Sequence, residues 1–354
     1  MFFPKYITMN KPTDFSKYLS DFLVKYLPHE RGVSINTLTS YRDSFVLLFR
    51  FLQEQKNIKA EKITLQTLTK DMVVEFLDWI QSVRKCGNAT RNQRLASIHS
   101  FCKYIQYQHP ENIYELQRIL SIKVKRSHKP HINHISEDGM KLLLEQPDPS
   151  IKKGVRDLAL ISLMYDAGAR VQEIIELTPS CFHFDNKDAS TVRIKGKGNK
   201  TRVVPLSKSL VNILQNYLRK YGLKELSMAE YPLFSNSRQE KFTRVGITEI
   251  LQKYAKMANA ISSDLVSEKI TPHTLRHSKA MALVKAGINL VYIRDFLGHT
   301  SIVTTEIYAR ADSEQKRKAI ESAYADVLPK EEACWIGNKS LIDFLNGFKT
   351  DSGF

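Results

Sequence analysis

The chain has 354 residues, with 53 lysines and arginines against 37 aspartates and glutamates, a formal charge of +16 and a pI near 9.5. That length suits two domains, each able to bury a core, and the positive surplus favours an extended polyanion, whose counterions are released as its phosphates are neutralised. No apolar run approaches the ~20 residues of a membrane span, and four scattered cysteines (Cys86, Cys102, Cys181, Cys334) without a CxxC pair speak against a disulfide framework or a zinc ribbon.

Residues 1–120 read as a helical domain. Phe15, Leu19, Phe22, Leu23 and Tyr26 recur at helical spacing, as do Leu38, Tyr41, Phe45, Leu48, Phe49 and Leu52. Thr69 is placed to cap a third helix over DMVVEFLDWIQSV. A fourth runs from about Asn88 to Tyr107, with Leu95, Ile98, Phe101, Cys102 and Ile105 on one face. Arg91, Arg94 and Lys103 fall among its polar positions; the two arginines are candidate phosphate contacts, with a solvated helix face as the alternative.

Residues 121–135 read as a linker, polar, basic and broken by Pro130. Its Lys125 and Arg126 are candidates to lie along a nucleic-acid backbone. His128, His131 and His134 recur every third residue, but no carboxylate or cysteine completes a four-ligand set, so no metal is expected. The N-terminal MFFPKYITMNKPTD lacks the order of a signal peptide, which makes the cytoplasm the expected compartment.

A second domain, 136–328, opens with a helix that Ser136 caps and that reaches Glu145. A longer one, GVRDLALISLMYDAGA, ends near Gly168. The period then changes. Val192 and Ile194 alternate before Gly196-Lys197-Gly198-Asn199-Lys200, and Val203 and Val204 follow it; glycine and asparagine supply the positive φ of a hairpin. Helices resume at Ser209–Tyr221, at about Gly246–Ala260, and from Thr274 onward. The fold class is therefore mainly α with a small β-sheet: a helical bundle followed by an α+β domain.

Residues 271–310 read TPHTLRHSKAMALVKAGINLVYIRDFLGHTSIVTTEIYAR. Pro272 suits a first helical turn, which puts His273 and Arg276 on one face. Gly298 suits the end of the NLVYIRDFL helix and sets His299 at a sharp turn. Tyr308 follows nine residues after His299, on or just after a helix that Ser301 is placed to cap. Upstream, Arg170 stands in DAGARVQE. Breaking a phosphodiester without metal takes a nucleophile, cationic clamps on the non-bridging oxygens and a proton for the leaving oxygen. Arginine suits the clamp, being always charged and bidentate toward phosphate. Tyrosine suits a reversible nucleophile, because phenolate is also a fair leaving group.

Arginine, hairpin lysine, HxxR, LGH and tyrosine, in that order, resemble the tyrosine recombinases, the phage integrase family. The resemblance covers about residues 12–325. It implies a SAM-like core-binding domain for 1–120 and a tyrosine recombinase catalytic domain for 136–328. By position, Arg170 and Arg276 match the clamps. Lys197 in GKGNKTRVVPL matches the lysine that protonates the leaving 5′ oxygen, and His273 the residue that handles the tyrosine proton. His299 matches the phosphate hydrogen bond and Tyr308 the nucleophile. Asp157 and Glu173 are read as supports that orient the arginines, and Lys200, Arg202 and Arg244 as backbone contacts near the site. Two positions depart from the family pattern: Ala169, where Leu or Met is frequent, and Lys279, where an apolar residue is common.

The resemblance further implies a two-domain clamp on double-stranded DNA with paired inverted sites, a homotetramer with accessory proteins as further partners, a 3′-phosphotyrosyl intermediate, a Holliday junction and no cofactor. Integration, excision or transposition of a mobile element is the expected role. Xer-like resolution of replicon dimers is the alternative, and a non-cleaving DNA-binding factor is the alternative of another class. The carboxylates show no pattern of a metal-dependent transposase. The tail, 329–354, carries CWIGNKSLIDFLNGF and is expected to dock on a neighbouring protomer, with packing on its own domain as the rival.

Overall fold

The structure, a computed structural model, describes residues 12–127, 133–185, 190–299 and 301–311; the side chains of Lys197 and of 309–311 also lie outside the description. His128, His131 and the tail therefore fall outside it. The chain divides into two compact units at Pro130 and His131. No helix among the described residues is long and apolar enough to cross a membrane.

In the first unit, α1 (Asp14–Asp21) begins where the Thr13 hydroxyl accepts from Ser16 N, and it passes into a wider π-helical stretch, Phe22–Glu30. Next come α2 (Ile35–Lys56), α3 (Lys70–Ser82), α4 (Asn88–Gln108) and α5 (Ile113–Leu120). Thr69 caps α3 through Met72 N, as its position predicts. The apolar stripes converge on Phe22, whose ring lies 5.3 Å from Phe101 and 6.4 Å from Phe45. Edge-to-face aromatic pairs of this kind add to the burial itself.

Arg91 and Arg94 do not reach outward from α4. Arg91 is 4% exposed, and its guanidinium donates to Asn92 Oδ1 at 3.3 Å and to the Lys123 carbonyl at 3.5 Å. Arg94 Nη1 donates to the Ser40 carbonyl and to Ser44 Oγ on α2. The reason lies in the helical period: positions 91, 95, 98, 102 and 105 form one stripe, so Arg91 heads the apolar face. The stretch after α5 is tied to α4, where Asn92 bonds the Lys125 backbone in both directions and Asn88 Nδ2 donates to the Arg126 carbonyl at 2.6 Å. Both basic side chains remain exposed.

Among the described residues, the second unit contains α6 (Glu137–Leu144), α7 (Lys152–Asp166) and α8 (Val171–Ile175), then a three-stranded antiparallel sheet and five more α-helices. Ser136 caps α6 through Gly139 N. The sheet is β1 (Phe182–His183), β2 (Thr191–Lys195) and β3 (Thr201–Pro205), in that order. Val192 pairs with Val204 and Arg193 with Val203. The pleat therefore turns Val192, Ile194 and Val204 inward and leaves Val203 exposed. Gly198 and Asn199 take φ of +75° and +62° at the hairpin tip. The two-residue β1 carries no period of its own and was not legible in the sequence.

The helices α9 (Lys208–Lys220) and α10 (Arg244–Ile261) pack in the main core with α7. The last three, α11 (Pro272–Lys285), α12 (Leu290–Leu297) and α13 (Val303–Ala311), enclose a small core of their own: Ala280, Met281, Val284, Ile293, Leu297 and Tyr308. That core sets the site.

Candidate active site

Thr271 and Thr274 cap the start of α11 reciprocally, and Pro272 occupies its first turn. The helix therefore begins one residue before His273 and carries Arg276 inward. Arg276 is 3% exposed; its Nη1 donates to the Gly168 carbonyl at 2.6 Å and its Nη2 to the Leu297 carbonyl at 2.7 Å. Those carbonyls close α7 and α12, the two helix ends that meet here. Burial, then the neighbouring Arg170 charge, lowers the Arg276 pKa to about 10, so it stays charged at neutral pH.

Arg170 precedes α8. Its Nη2 donates to the Gly298 carbonyl at 3.0 Å, and its Nη1 to Glu173 Oε1 at 2.8 Å. Glu173 is buried and also receives Arg202, which spends its Nε on the Phe296 carbonyl. Arg202 is thus an internal brace, not a backbone contact: β3 runs beside the end of α12, and the turn at Gly298 packs on the guanidinium. Burial pushes the Glu173 carboxyl up, but hydrogen bonds and charge from Arg202 and Arg170 outweigh it and hold the group below the usual range.

Asp157 does not orient these arginines. It accepts from Arg156 at 2.7 Å and from Tyr254 Oη at 3.0 Å. It lies about two and a half turns before the end of α7 and so braces that helix against α10. The unusual Lys279 binds Asp166 at 2.9 Å and joins α11 to the end of α7. Lys200 is exposed on the hairpin, and the exposed Arg244 bonds Gln172 Oε1 at 2.8 Å. The backbone of Lys197 lies at the same hairpin tip.

Gly298 ends α12 with φ +66°, and the backbone N–H of His299 returns to the Arg294 carbonyl. His299 Nδ1 then meets Thr305 Oγ1 at 2.9 Å. Burial first, then the charges of Arg276, Arg170 and Arg202, lower the His299 pKa to about 4. The same two effects lower His273, with Arg276 and Arg170 as the neighbouring charges. Tyr308, on α13, is 1% exposed, and its ring faces His299 with centroids 6.5 Å apart. Burial raises its pKa while the two arginines oppose that rise.

The structure thus gathers Arg170, Glu173, Arg276, His299 and Tyr308 around the ends of α7 and α12. Two partners of this group were not singled out in the sequence. His277 Nδ1 lies 2.7 Å from Tyr308 Oη, and Thr305 orients His299. The signal for the first was its place four residues after His273, and for the second its place three before Tyr308.

A model described as the phage integrase family matches residues 133–315, and one described as the phage integrase N-terminal SAM-like domain matches residues 21–109. Protein y4rC of Sinorhizobium fredii, which carries the name integrase/recombinase, is 31% identical over 312 residues, 88% of this chain and 92% of that protein. Tyrosine recombinase XerC of Syntrophus aciditrophicus is 31% identical, over 80% of this chain and 90% of its own length. Among solved structures, the XerH site-specific recombinase bound to a palindromic difH substrate superposes with a TM-score of 0.66 at 23% identity, covering 85% of this chain and 84% of the other. The Tn1549 transposon integrase with transposon right-end DNA gives 0.65 at 16% identity, over 87% and 99%. These two likenesses are of fold.

Proposed function

The chain belongs to the phage integrase family and is a tyrosine site-specific DNA recombinase, and from that premise we propose that Tyr308 cuts DNA by forming a 3′-phosphotyrosyl bond. Arg170 and Arg276 hold the non-bridging oxygens of the scissile phosphate, and His299 donates to one of them. Lys197 protonates the departing 5′ oxygen, and the histidines of α11, His273 among them, serve the phenol. Glu173 positions Arg170. Residues 136–328 act as the catalytic domain and 1–120 as the core-binding domain.

One observation carries this reading. Arg276 is a buried guanidinium whose hydrogen bonds end on two carbonyls, and among the described residues the charges that act on it are Arg170, Arg202 and the Glu173 carboxylate. A buried cation without a counter-charge is costly; an anion seated beside Tyr308 balances it. A phosphodiester supplies that anion and the electrophile together.

The partner is double-stranded DNA with paired inverted sites. Four protomers on two duplexes exchange strands in pairs through a Holliday junction, in the bacterial cytoplasm. The likeness to y4rC supports integration, excision or transposition of a mobile element. The likeness to XerC supports a second reading, resolution of replicon dimers.

The test is covalent capture from a randomised library of nicked duplexes, where the nick lets the freed strand diffuse away and traps the intermediate. The wild-type protein is expected to form a protein–DNA adduct that Tyr308→Phe abolishes. Absence of any adduct across the library would overturn cleavage. A two-site plasmid built from the captured sequence then separates deletion and inversion from dimer resolution.

A further inference from the structure

The hydroxyl of Tyr308 meets His277, not His273. Oη and Nδ1 are 2.7 Å apart, and the two rings lie 5.6 Å apart at 55°. This contact is made inside the unit, beside the proposed clamp: α11 carries His273 and, one turn on, Arg276 and His277 side by side, and α13 brings Tyr308 against them through the core it shares with Met281 and Val284. We propose that His277 is the base that removes the phenol proton of Tyr308 as the nucleophile attacks, a catalytic residue additional to the two arginines, Lys197, His273 and His299. The inference rests on the reading of Tyr308 as the nucleophile.

Geometry comes first. A general base has to lie within hydrogen-bond reach of the proton it takes, and His277 does so without any movement of either helix. Charge comes second. The groups around the ring are His273 and Arg276 on its own helix, Tyr308 on α13 and His299 at the turn before it; burial, then His273 and Arg276, hold its pKa below the usual histidine range. The imidazole is therefore neutral at physiological pH. The phenol, whose own pKa burial raises, keeps its proton, and with the imidazole proton on Nε2 it donates to the Nδ1 lone pair at 2.7 Å.

The step balances. The O–H bond of Tyr308 breaks, its proton forms an N–H bond at His277 Nδ1, and the oxygen electron pair forms the bond to phosphorus. The bond from phosphorus to the 5′ oxygen breaks, and that oxygen takes a proton from Lys197. On rejoining, the 5′ hydroxyl attacks phosphorus and gives its proton back to Lys197, the bond from phosphorus to the Tyr308 oxygen breaks, and the departing phenolate recovers its proton from His277. The imidazolium formed in between stands beside Arg276 and His273, whose centroid lies 6.2 Å away, so it is acidic and returns the proton readily. Such a base suits a reaction that runs in both directions.

The test measures adduct formation by His277→Asn and His277→Ala on the nicked duplex captured by the wild-type protein, with ordinary phosphate and with a 5′-bridging phosphorothiolate. Asparagine places an acceptor near the Nδ1 position but takes no proton. Both variants are expected to bind the duplex and to cleave ~100-fold or more slowly. The phosphorothiolate should leave that deficit in place, because a thiolate departs without a proton, while it should restore Lys197→Ala. His277→Asn within a few-fold of wild type, or a His277 deficit cured by the phosphorothiolate, overturns the inference. An adduct that persists in Tyr308→Phe, or none from the wild-type protein, overturns the reading of Tyr308 instead.

Discussion

Glu173 receives both terminal nitrogens of Arg202, at 3.2 Å and 2.8 Å, one on each carboxylate oxygen. The same carboxylate accepts from Arg170, so one buried anion stands between a brace and the proposed phosphate clamp. Taking Arg202 away strands half of that charge out of water. Arg202→Met is expected to cost about 3 kcal/mol in a urea titration, near the lower end for breaking a buried pair because Arg170 remains. Arg202→Lys should recover only part of it, since one ammonium cannot span both oxygens. A loss of about 0.5 kcal/mol or less, as for an exposed pair, would contradict the assignment of Arg202 as a buried brace.

Acid should weaken the second unit in two successive, partly overlapping windows. His299 has a folded pKa of about 4 against the ordinary 6.5, so the unfolded chain binds the extra proton between those values and stability falls as pH drops from 6.5 through 4. Glu173 is held below its ordinary 4.5; its contribution is full above that value and is lost as pH falls through the folded pKa. Urea titrations from pH 7 to pH 3 should show both slopes. His299→Phe should make the first slope shallower, leaving the share of His273 and His277, and keep the second, whereas Glu173→Gln should make the second shallower and keep the first.

Gly298 joins geometry to chemistry. A Cβ there would sit at φ +66° and 2.9 Å from Arg202 Nη1. Gly298→Ala is expected to cost about 1–2 kcal/mol for the left-handed backbone. Activity should fall further than stability, because the Leu297 and Gly298 carbonyls hold Arg276 and Arg170, the two proposed clamps. The check pairs a thermal melt with the adduct assay; unchanged adduct formation would mean the clamps do not depend on that turn.

The basic residues should separate by salt dependence of DNA binding. Lys200, Lys125 and Arg126 are exposed, and each alanine variant should reduce the log–log salt slope by about one if it meets a phosphate. Arg94→Ala should leave the slope alone and lower thermal stability, because its guanidinium is engaged on α2. A slope change in Arg94→Ala would reverse that assignment.

Much of the fold could be read along the chain because its signals are local. Thr69, Ser136 and Pro272 act within one turn, and Gly298 takes the left-handed conformation its position called for. The hairpin followed from alternation around a glycine-rich tip. The roles of the charged residues were less legible. Arg91 was readable in hindsight from the stripe it heads; Arg202 and Asp157 were not, because an arginine or aspartate reads alike whether phosphate, solvent or a buried counter-ion awaits it.

The sequence by itself determined which chemical groups exist and in what order: two arginines, a lysine in a hairpin, paired histidines and a tyrosine. Spacing of three or four residues determined which of them share a helix face, since the α-helical period allows nothing else. Tertiary structure alone decided who meets whom. It joined the ends of α7 and α12 under Arg276, turned Arg202 onto Glu173, and set Tyr308 against His277 rather than His273. Those contacts span 21 to 108 residues, and at such separations only packing of one element on another selects the partner.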